Sequence, residues 1–347
     1  MVDYARKEKP ELLLIGGDLF DIMRPGNYAR AAAMEDFRLL HEAGVKVFAV
    51  GGHHDTPRSI EEGTSPLAVY GNSGFIHYFS NPSSPEMVTL DYHGFNVTIT
   101  GVGHNPLHDS GTDPIDAVPK ELKGDYNIVI AHSPVQGFSG WTGDEPVIKP
   151  SSIPKQVNLL AVGHFHNHQS RKVGNTEIIY PGSTERVDFA EEPDEKGFVW
   201  VEFEKDGTLR KEFKKTSARR YKTVRIEFPN SPNPIGVLKS ELQKHFESES
   251  VIRIKLFGSV STINLAGYRR SELLSSAQGN VFHCFIDEEE LAVDPPEVRD
   301  IGPRTSPLAE LDSYFEGRIK SAKQDEKDIL REALQLSRSK LTEAGAW

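Results

Sequence analysis

The sequence has one cysteine and no long apolar run. The single Cys284 excludes an internal disulfide and is typical of a protein of the reducing cytosol. No run approaches the ~20 apolar residues that a membrane-spanning helix needs. No signal peptide opens the chain. We therefore expect a cytoplasmic protein with no membrane contact.

Positive charge is also scarce. The 347 residues include 51 acidic and 40 basic side chains, which gives a formal net charge of −11. This balance argues against a protein that covers nucleic acid non-specifically, although it allows a local basic patch. The composition, 37% hydrophobic and 26% charged, is that of an ordinary globular protein, and the length favours two domains.

Four short apolar segments each end at glycine or proline together with a potential metal ligand. Such segments are typical of buried strands. In open α/β sheets, sites gather outside the carboxyl ends of the strands, so we expect these ligands to lie along one rim. The segments are 11–15, 45–50, 127–131 and 157–162, and the potential ligands are Asp18, His53, His54, His132, His164 and His166.

The histidine pair His164 and His166 is the centre of this pattern. Residues at i and i+2 share one side of an extended chain, so both imidazoles can point to one place. Neutral imidazole is the commonest metal ligand in proteins. Alone, the pair is equally compatible with a polar surface loop. The other strand ends favour a metal site.

Aspartate and histidine ligands at strand ends suit a dinuclear site for Mn²⁺, Fe²⁺ or Zn²⁺. Asp18 is the obvious bridging carboxylate. Two metals would activate a water and stabilise charge on a phosphoryl group in an in-line displacement. The leaving oxygen then needs a proton, which an unligated histidine beside the metals can donate. His53 and His54 point to opposite sides if extended, so one can ligate while the other faces the leaving group.

The order of elements predicts an α/β fold with three parts. Many strands and few helices in residues 1–218 favour a two-sheet β-sandwich flanked by helices. Residues 219–300 have the pattern of a small α+β domain. Residues 301–347 predict a helical tail of two amphipathic helices, the first capped by Ser306 with Pro307 behind it. A charged break at 320–328 favours docking of this tail on a partner over packing on its own domain.

A basic stretch joins the first two parts. The simpler interpretation is a solvated linker, and the functional one is a strip that contacts phosphates. The candidate DNA-contacting residues are Lys214, Lys215, Arg219 and Arg220.

The strand-end motifs resemble those of the calcineurin-type metallophosphoesterases. The resemblance rests on segments 17–21, 52–55 and 163–166 together with His132. Segments 18–21 and 180–186 with Phe189 are similar to those of the SbcD exonucleases. These are relatives of the eukaryotic meiotic-recombination and double-strand-break repair nuclease. The resemblance covers residues 1–215 well, and the small domain and the tail resemble that family's capping domain and ATPase-docking helices more loosely.

This resemblance implies a manganese-dependent nuclease that processes DNA ends. Such enzymes cut phosphodiesters as homodimers in complex with an SMC-like ABC ATPase called SbcC. Residues 305–347 would bind this ATPase. By position, Asp18 matches the bridging ligand and His54 the proton donor. His132 and His164 match ligands of one metal, and His166 matches a ligand of the other. His53 stands where the family has a metal-ligating asparagine, and the capping domain would help to position DNA.

A strand with Asp-x-His begins the family pattern and supplies two ligands to the metal that binds His166. Met1 falls inside the helix that should follow it, so we expect that strand to be missing here. One metal position then has four ligands, and the other keeps only Asp18 and His166. We therefore predict one firmly bound metal, a second weakly bound one, and reduced nuclease activity.

Two other functions stay open. The chain could be a phosphoesterase acting on nucleotides or phosphoproteins. It could also be a weakly catalytic scaffold that holds an SMC-like ATPase through residues 305–347.

Overall fold

A three-stranded parallel sheet carries two of the predicted strand ends. The computed structural model of the chain describes residues 1–59, 63–140, 143–205, 207–294 and 306–344. In this sheet β2 lies between β1 and β3 and pairs in parallel with both. The strands are β1 (Leu12–Ile15), β2 (Lys46–Val50) and β3 (Ile76–Phe79).

A six-stranded mixed sheet carries the other two strand ends. Its strands are β4 (Met87–Tyr92), β5 (Phe95–Val102), β6 (Tyr126–His132), β7 (Leu159–Gly163), β8 (Gln169–Val173) and β9 (Thr176–Tyr180). They are ordered β4-β5-β6-β7-β9-β8. The inner four run parallel, and β4 and β8 are antiparallel edges.

The two sheets pack face to face around one apolar layer. Along β6, Ile128 and Ile130 belong to the core cluster that also contains Phe48 of β2. The alternate residues Val129 and Ala131 belong to a second cluster on the other face. This two-residue alternation is what a strand buried on both faces requires. The predicted two-sheet sandwich is therefore confirmed.

Helices cover the outer face of the three-stranded sheet. Phe37 and Leu40, three residues apart on one helix, pack with Val47 of β2 and Tyr70 in a third buried cluster. The outer face of the six-stranded sheet is covered instead by loop residues such as Ile148. The three helices are α1 (Val2–Glu8), α2 (Asn27–Glu42) and α3 (Leu67–Asn72).

A hairpin and a further sheet follow. The hairpin places Val199 and Val201 against the layer between the first two sheets. The further sheet has the order β12-β13-β14, as expected for an α+β region. These elements are β10 (Gly197–Phe203), β11 (Leu209–Lys215), β12 (Tyr221–Glu227), α4 (Pro234–Gln243), β13 (Val251–Val260), α5 (Thr262–Ala266), α6 (Arg270–Ala277) and β14 (His283–Val293).

The tail forms the helices α7 (Pro307–Ser321) and α8 (Gln324–Glu343). Ser306 caps α7 by accepting a hydrogen bond from the Ala309 N–H, as the sequence predicts. The predicted break at 320–328 is wrong in extent, because lysine, glutamate and glutamine are good helix formers and α8 starts within it. Residue 305 and residues 345–347 of the predicted docking segment lie outside the described residues. No helix in the described ranges has the length and apolar character to cross a membrane.

The contacts between residues divide the chain into two compact units. The division falls within β12, β13 and β14, so the predicted domain boundaries at 218 and 300 stay predictions. Residues 295–300 lie outside the described residues. The first unit contains Met1–Ile226, Lys239–Lys255 and Ser271–Asp287, and the second contains Glu227–Leu238, Leu256–Arg270 and Glu288–Trp347.

Candidate metal centre

Three imidazoles meet at the carboxyl ends of β2, β6 and β7. One ring nitrogen from each of His53, His132 and His164 lies within 4.8 Å of those of the other two. We call these residues the three-histidine group. The ring centroids are 4.8 to 5.6 Å apart. His132 is fully buried, and the other two are partly buried. Residues more than a hundred positions apart in sequence therefore share one small site.

The carboxylate of Asp18, which follows β1, lies beside this group. Its Oδ2 is 3.1 Å from Nε2 of His132. Its Oδ1 accepts a hydrogen bond of 2.8 Å from the backbone N–H of His54. Burial acts to raise the pKa of Asp18, but His132 and the His54 N–H outweigh burial and hold the pKa well below its usual range. The carboxylate is therefore ionised at neutral pH.

The orientation of the His132 ring leaves one buried nitrogen facing Asp18. Its Nδ1 is 2.6 Å from the carbonyl oxygen of Gly16, so Nδ1 donates a proton there and Nε2 is the nitrogen beside the carboxylate. That Nε2 is buried and has no hydrogen bond of good geometry, and the same is true of Nδ1 of His53. A carboxylate facing this nitrogen needs a positive charge there, which either a proton on Nε2 or a metal ion supplies. These donors therefore fit a divalent metal ion.

The environment keeps His53 and His164 neutral, which is the metal-binding form of imidazole. Burial, helped by the neighbouring His132 and His164, lowers the pKa of His53 to about 3. Burial, with His132, lowers the pKa of His164 to about 4.

Two of the donors have backbone conformations that are rare for residues other than glycine. The φ angles of Asp18 and His164 are 51° and 104°. Such conformations persist only where the surrounding structure enforces them, and they concentrate at functional sites. A Cβ at Gly52 would overlap the Asp18 carboxylate, and a Cβ at Gly163 would overlap the Gly16 carbonyl. Glycines therefore let the loops after three strands approach one another at the site.

A fully buried carboxylate, Asp55, joins two of these loops. Its Oδ2 accepts the Leu19 N–H at 2.8 Å, and its Oδ1 accepts the Gly52 N–H at 2.6 Å. Burial raises its pKa. Asp55 therefore fixes the loop after β1 to the loop after β2 and holds Asp18 close to His53.

The structure places His54 at the edge of the site. Its Nδ1 is 2.9 Å from the carbonyl oxygen of Asp21, to which it donates a proton. The side chain is about half exposed, with a fractional exposure of 49%. Only its backbone N–H contacts Asp18. The imidazole is therefore oriented but not enclosed.

His166 does not belong to the three-histidine group. Its Nδ1 pairs with Oε1 of Glu191 at 2.6 Å. The other oxygen of Glu191 pairs at 2.6 Å with the ammonium group of Lys196, whose side chain is fully buried. A carboxylate on one ring nitrogen is a frequent device for orienting the other nitrogen toward a metal.

Two residues of the site escaped the sequence analysis. The ring of His104 lies against that of His53, with centroids 3.8 Å apart and the planes tilted by 32°. It follows the carboxyl end of β5, so the rule that found the other ligands applies to it too. Glu145 lies 3.3 Å from Nε2 of His164 and 3.9 Å from Nε2 of His53. The loop of Glu145 is irregular, so no periodic pattern in the sequence indicates that this side chain faces the site.

The family comparison agrees with this geometry. Residues 1–168 match the calcineurin-like phosphoesterase family. These residues form a calcineurin-like phosphoesterase domain. All four converging donors, Asp18, His53, His132 and His164, lie inside the matched range. The resemblance of the strand-end motifs is thereby confirmed at the level of the family.

Curated relatives of this phosphoesterase include DNA repair proteins. The chain is 29% identical over 228 residues to the DNA double-strand break repair protein Mre11 of Methanopyrus kandleri, covering 61% of this chain and 49% of that protein. It is 25% identical over 266 residues to Mre11 of Sulfurisphaera tokodaii, covering 74% and 66%. It is 22% identical over 341 residues to the uncharacterized metallophosphoesterase YhaO of Bacillus subtilis, covering 95% and 79%. The match thus spans about half the length of the first Mre11 protein and about two thirds of the second.

The four predicted DNA-contacting residues of this phosphoesterase all have carboxylate partners. Arg219 and Arg220 pair with Glu249 and Glu247 at 3.4 and 3.0 Å. Lys214 pairs with Glu212 at 2.5 Å, and Lys215 pairs with Glu195.

Proposed function

We propose that this chain hydrolyses phosphodiester bonds in DNA with a divalent metal, as a nuclease of double-strand-break repair. The observation that carries the proposal is the convergence of Asp18 with the three-histidine group, inside a phosphoesterase domain. The names of the Mre11 relatives support DNA as the substrate.

Asp18, His53, His132 and His164 would hold the metal. We propose Mn²⁺, because mixed imidazole and carboxylate ligands suit Mn²⁺ and Fe²⁺ as well as Zn²⁺. When bound, the ion would polarise the phosphoryl group and lower the pKa of a water molecule. Of the six predicted site residues, only Asp18 and His166 remain for a second ion. We therefore propose one firm and one weak position, and modest activity.

His54 supplies the proton for the leaving oxygen in this proposal. The hydrogen bond from Nδ1 to the Asp21 carbonyl fixes the ring, so the proton given to the leaving oxygen is the one that Nε2 carries in the imidazolium form. Asp18 contacts only the backbone of His54, so the imidazole is free of the metal ligands and can donate its proton. Asp55 and Gly52 hold these loops in place.

We propose that the basic residues contact the DNA backbone weakly. Their carboxylate partners are for the most part solvent-exposed, and exposed ion pairs contribute only about 0–1 kcal/mol. A phosphate could therefore replace a carboxylate at little cost. Binding through these residues would weaken steeply with salt.

The test is degradation of linear duplex DNA by the full chain with Mn²⁺, with and without EDTA. Asp18→Asn removes the carboxylate charge with little change in shape. Asp3→Asn is the matched control, since Asp3 is almost fully exposed. Cleavage that needs Mn²⁺ and is lost only in Asp18→Asn supports the proposal. Cleavage by Asp18→Asn at the wild-type rate would exclude this site.

A second candidate function is a phosphoesterase for nucleotides or phosphoproteins. It is favoured by the match to YhaO over 95% of this chain, because that relative is named only as a metallophosphoesterase. Hydrolysis of a chromogenic bis-phosphate ester, cyclic nucleotides and a phosphopeptide separates the two. Turnover of these compounds without cleavage of duplex DNA would favour the second function.

The tail would bind an SbcC-like ATPase. On α8, Ile329 and Leu336 are seven residues apart, which places them on one helix face, and both are exposed. Tyr314 of α7 is also exposed. A pull-down of a coiled-coil ATPase that is lost with Leu336→Glu but kept with Arg331→Glu, on the opposite side of α8, supports this role. The same result without any DNA cleavage would favour the scaffold hypothesis. The molar mass of the full chain in solution would test the proposed homodimer.

A further inference from the structure

Glu145 brings a second carboxylate to the three-histidine group. Its Oε1 lies 3.3 Å from Nε2 of His164, and its Oε2 lies 3.9 Å from Nε2 of His53. The side chain is only 26% exposed. Both oxygens therefore face ring nitrogens of the candidate ligands from a loop that belongs to none of the strand ends.

These contacts leave the carboxylate without a good partner. Within the described residues, neither oxygen of Glu145 makes a hydrogen bond to the chain, and no lysine or arginine pairs with it. A partly buried carboxylate without a hydrogen-bond donor or a basic side chain beside it is unfavourable, unless a cation compensates its charge. Glu191 is a useful contrast, because Lys196 neutralises it while it orients His166.

We propose that Glu145 is a further ligand of the divalent ion held by the three-histidine group and Asp18. This inference rests on the proposed function and adds to it one donor and one negative charge. Three neutral imidazoles and one aspartate would leave a divalent ion with one uncompensated positive charge. Glu145 makes the set electrically neutral.

The enlarged donor set also bears on which metal is preferred. Three imidazoles and two carboxylates give five protein donors. Structural zinc sites are almost always four-coordinate, whereas Mn²⁺ and Fe²⁺ accept higher coordination numbers. A water molecule could still occupy a remaining position. Glu145 would thus favour Mn²⁺ or Fe²⁺ over tetrahedral Zn²⁺.

The test is the affinity of the full chain for Mn²⁺ alone, measured by calorimetric titration and by electron paramagnetic resonance of the bound ion. Glu145→Gln keeps the shape and removes the charge. Asp144→Asn is the matched control, since Asp144 is the exposed neighbour on the same loop. We expect at least about a tenfold loss of affinity and an altered resonance spectrum for Glu145→Gln. Asp144→Asn should bind like the wild type, and Glu145→Asp should lie between the wild type and Glu145→Gln.

Two results would overturn the inference. One is wild-type affinity and spectrum in Glu145→Gln. The other is an equal loss in Glu145→Gln and Asp144→Asn, because general charge would then explain it. If the wild type binds Mn²⁺ and cleaves DNA while Glu145→Gln binds equally well, only the role of Glu145 fails. If the wild type binds no Mn²⁺, the proposed function fails and this inference fails with it.

Discussion

Oδ2 of Asp18 lies 3.1 Å from Nε2 of His132. Nδ1 of His132 donates a proton to the Gly16 carbonyl, so Nε2 is the nitrogen that faces the carboxylate. Folding places the two groups together because β1 and β6 end at the same rim. A metal ion held by both groups would take the place of a proton between them.

The metal-free protein should lose stability in mild acid. Burial lowers the pKa of His53 and His104 to about 3 and that of His164 to about 4, from 6.5 in each case. Below pH 6.5 the unfolded chain binds protons that the folded chain excludes, so protonation favours unfolding. We expect the free energy of unfolding to fall as pH drops from 6.5 to about 4, by up to about 1.4 kcal/mol per pH unit for each imidazole.

Urea denaturation in EDTA at a series of pH values measures this slope. His104→Phe keeps an aromatic ring beside His53 and removes one titrating group, so its slope should be shallower. A free energy of unfolding that stays constant between pH 6.5 and 4 would contradict the buried neutral imidazoles.

Asp55→Ala should destabilise the fold and weaken metal binding together. The substitution leaves the N–H groups of Leu19 and Gly52 unpaired in a buried place, at a cost of about 1–3 kcal/mol each. It also frees the loops that carry Asp18 and His53. Urea midpoints and Mn²⁺ titrations of the same samples measure both effects.

The control for this prediction is Asp91→Ala, which removes an exposed aspartate near the end of β4. It should leave both measurements close to the wild type. If Asp55→Ala lost stability but bound Mn²⁺ normally, Asp55 would not position the ligands.

His54→Ala should separate turnover from metal binding. The Asp18 contact uses the backbone N–H of His54, which alanine retains. We expect kcat for DNA cleavage to fall by about 10²–10⁴-fold, the usual contribution of a general acid, with unchanged Mn²⁺ affinity. His93→Ala, which removes a largely exposed imidazole, serves as the control. Loss of metal binding in His54→Ala would instead make this residue a ligand.

Gly52→Ala should disrupt the site from the backbone side. The added Cβ would overlap the Asp18 carboxylate, so the carboxylate or its loop must move, at a cost of about 1–3 kcal/mol. Mn²⁺ titration should show weakened binding. Gly317→Ala, where a Cβ meets open space, should bind normally. Normal binding by Gly52→Ala would mean that Asp18 is not needed in its observed position.

The sandwich and most of the site could be predicted from sequence because both depend on strand ends. Buried strands such as 127–131 are visible as apolar runs, and glycine marks where each ends. His104 was missed because its strand belongs to a hairpin and its loop is polar. Glu145 could not be predicted, because an irregular loop has no period that fixes which side chain points inward. The break between the two tail helices is shorter than predicted, because charged side chains alone do not interrupt a helix.

The most direct test of the account is a titration of Mn²⁺ into the full chain, compared with Asp18→Asn and His132→Asn. The account predicts one firmly bound equivalent per wild-type chain and loss of that equivalent in each variant. Two firm equivalents, or one that survives both substitutions, would contradict it.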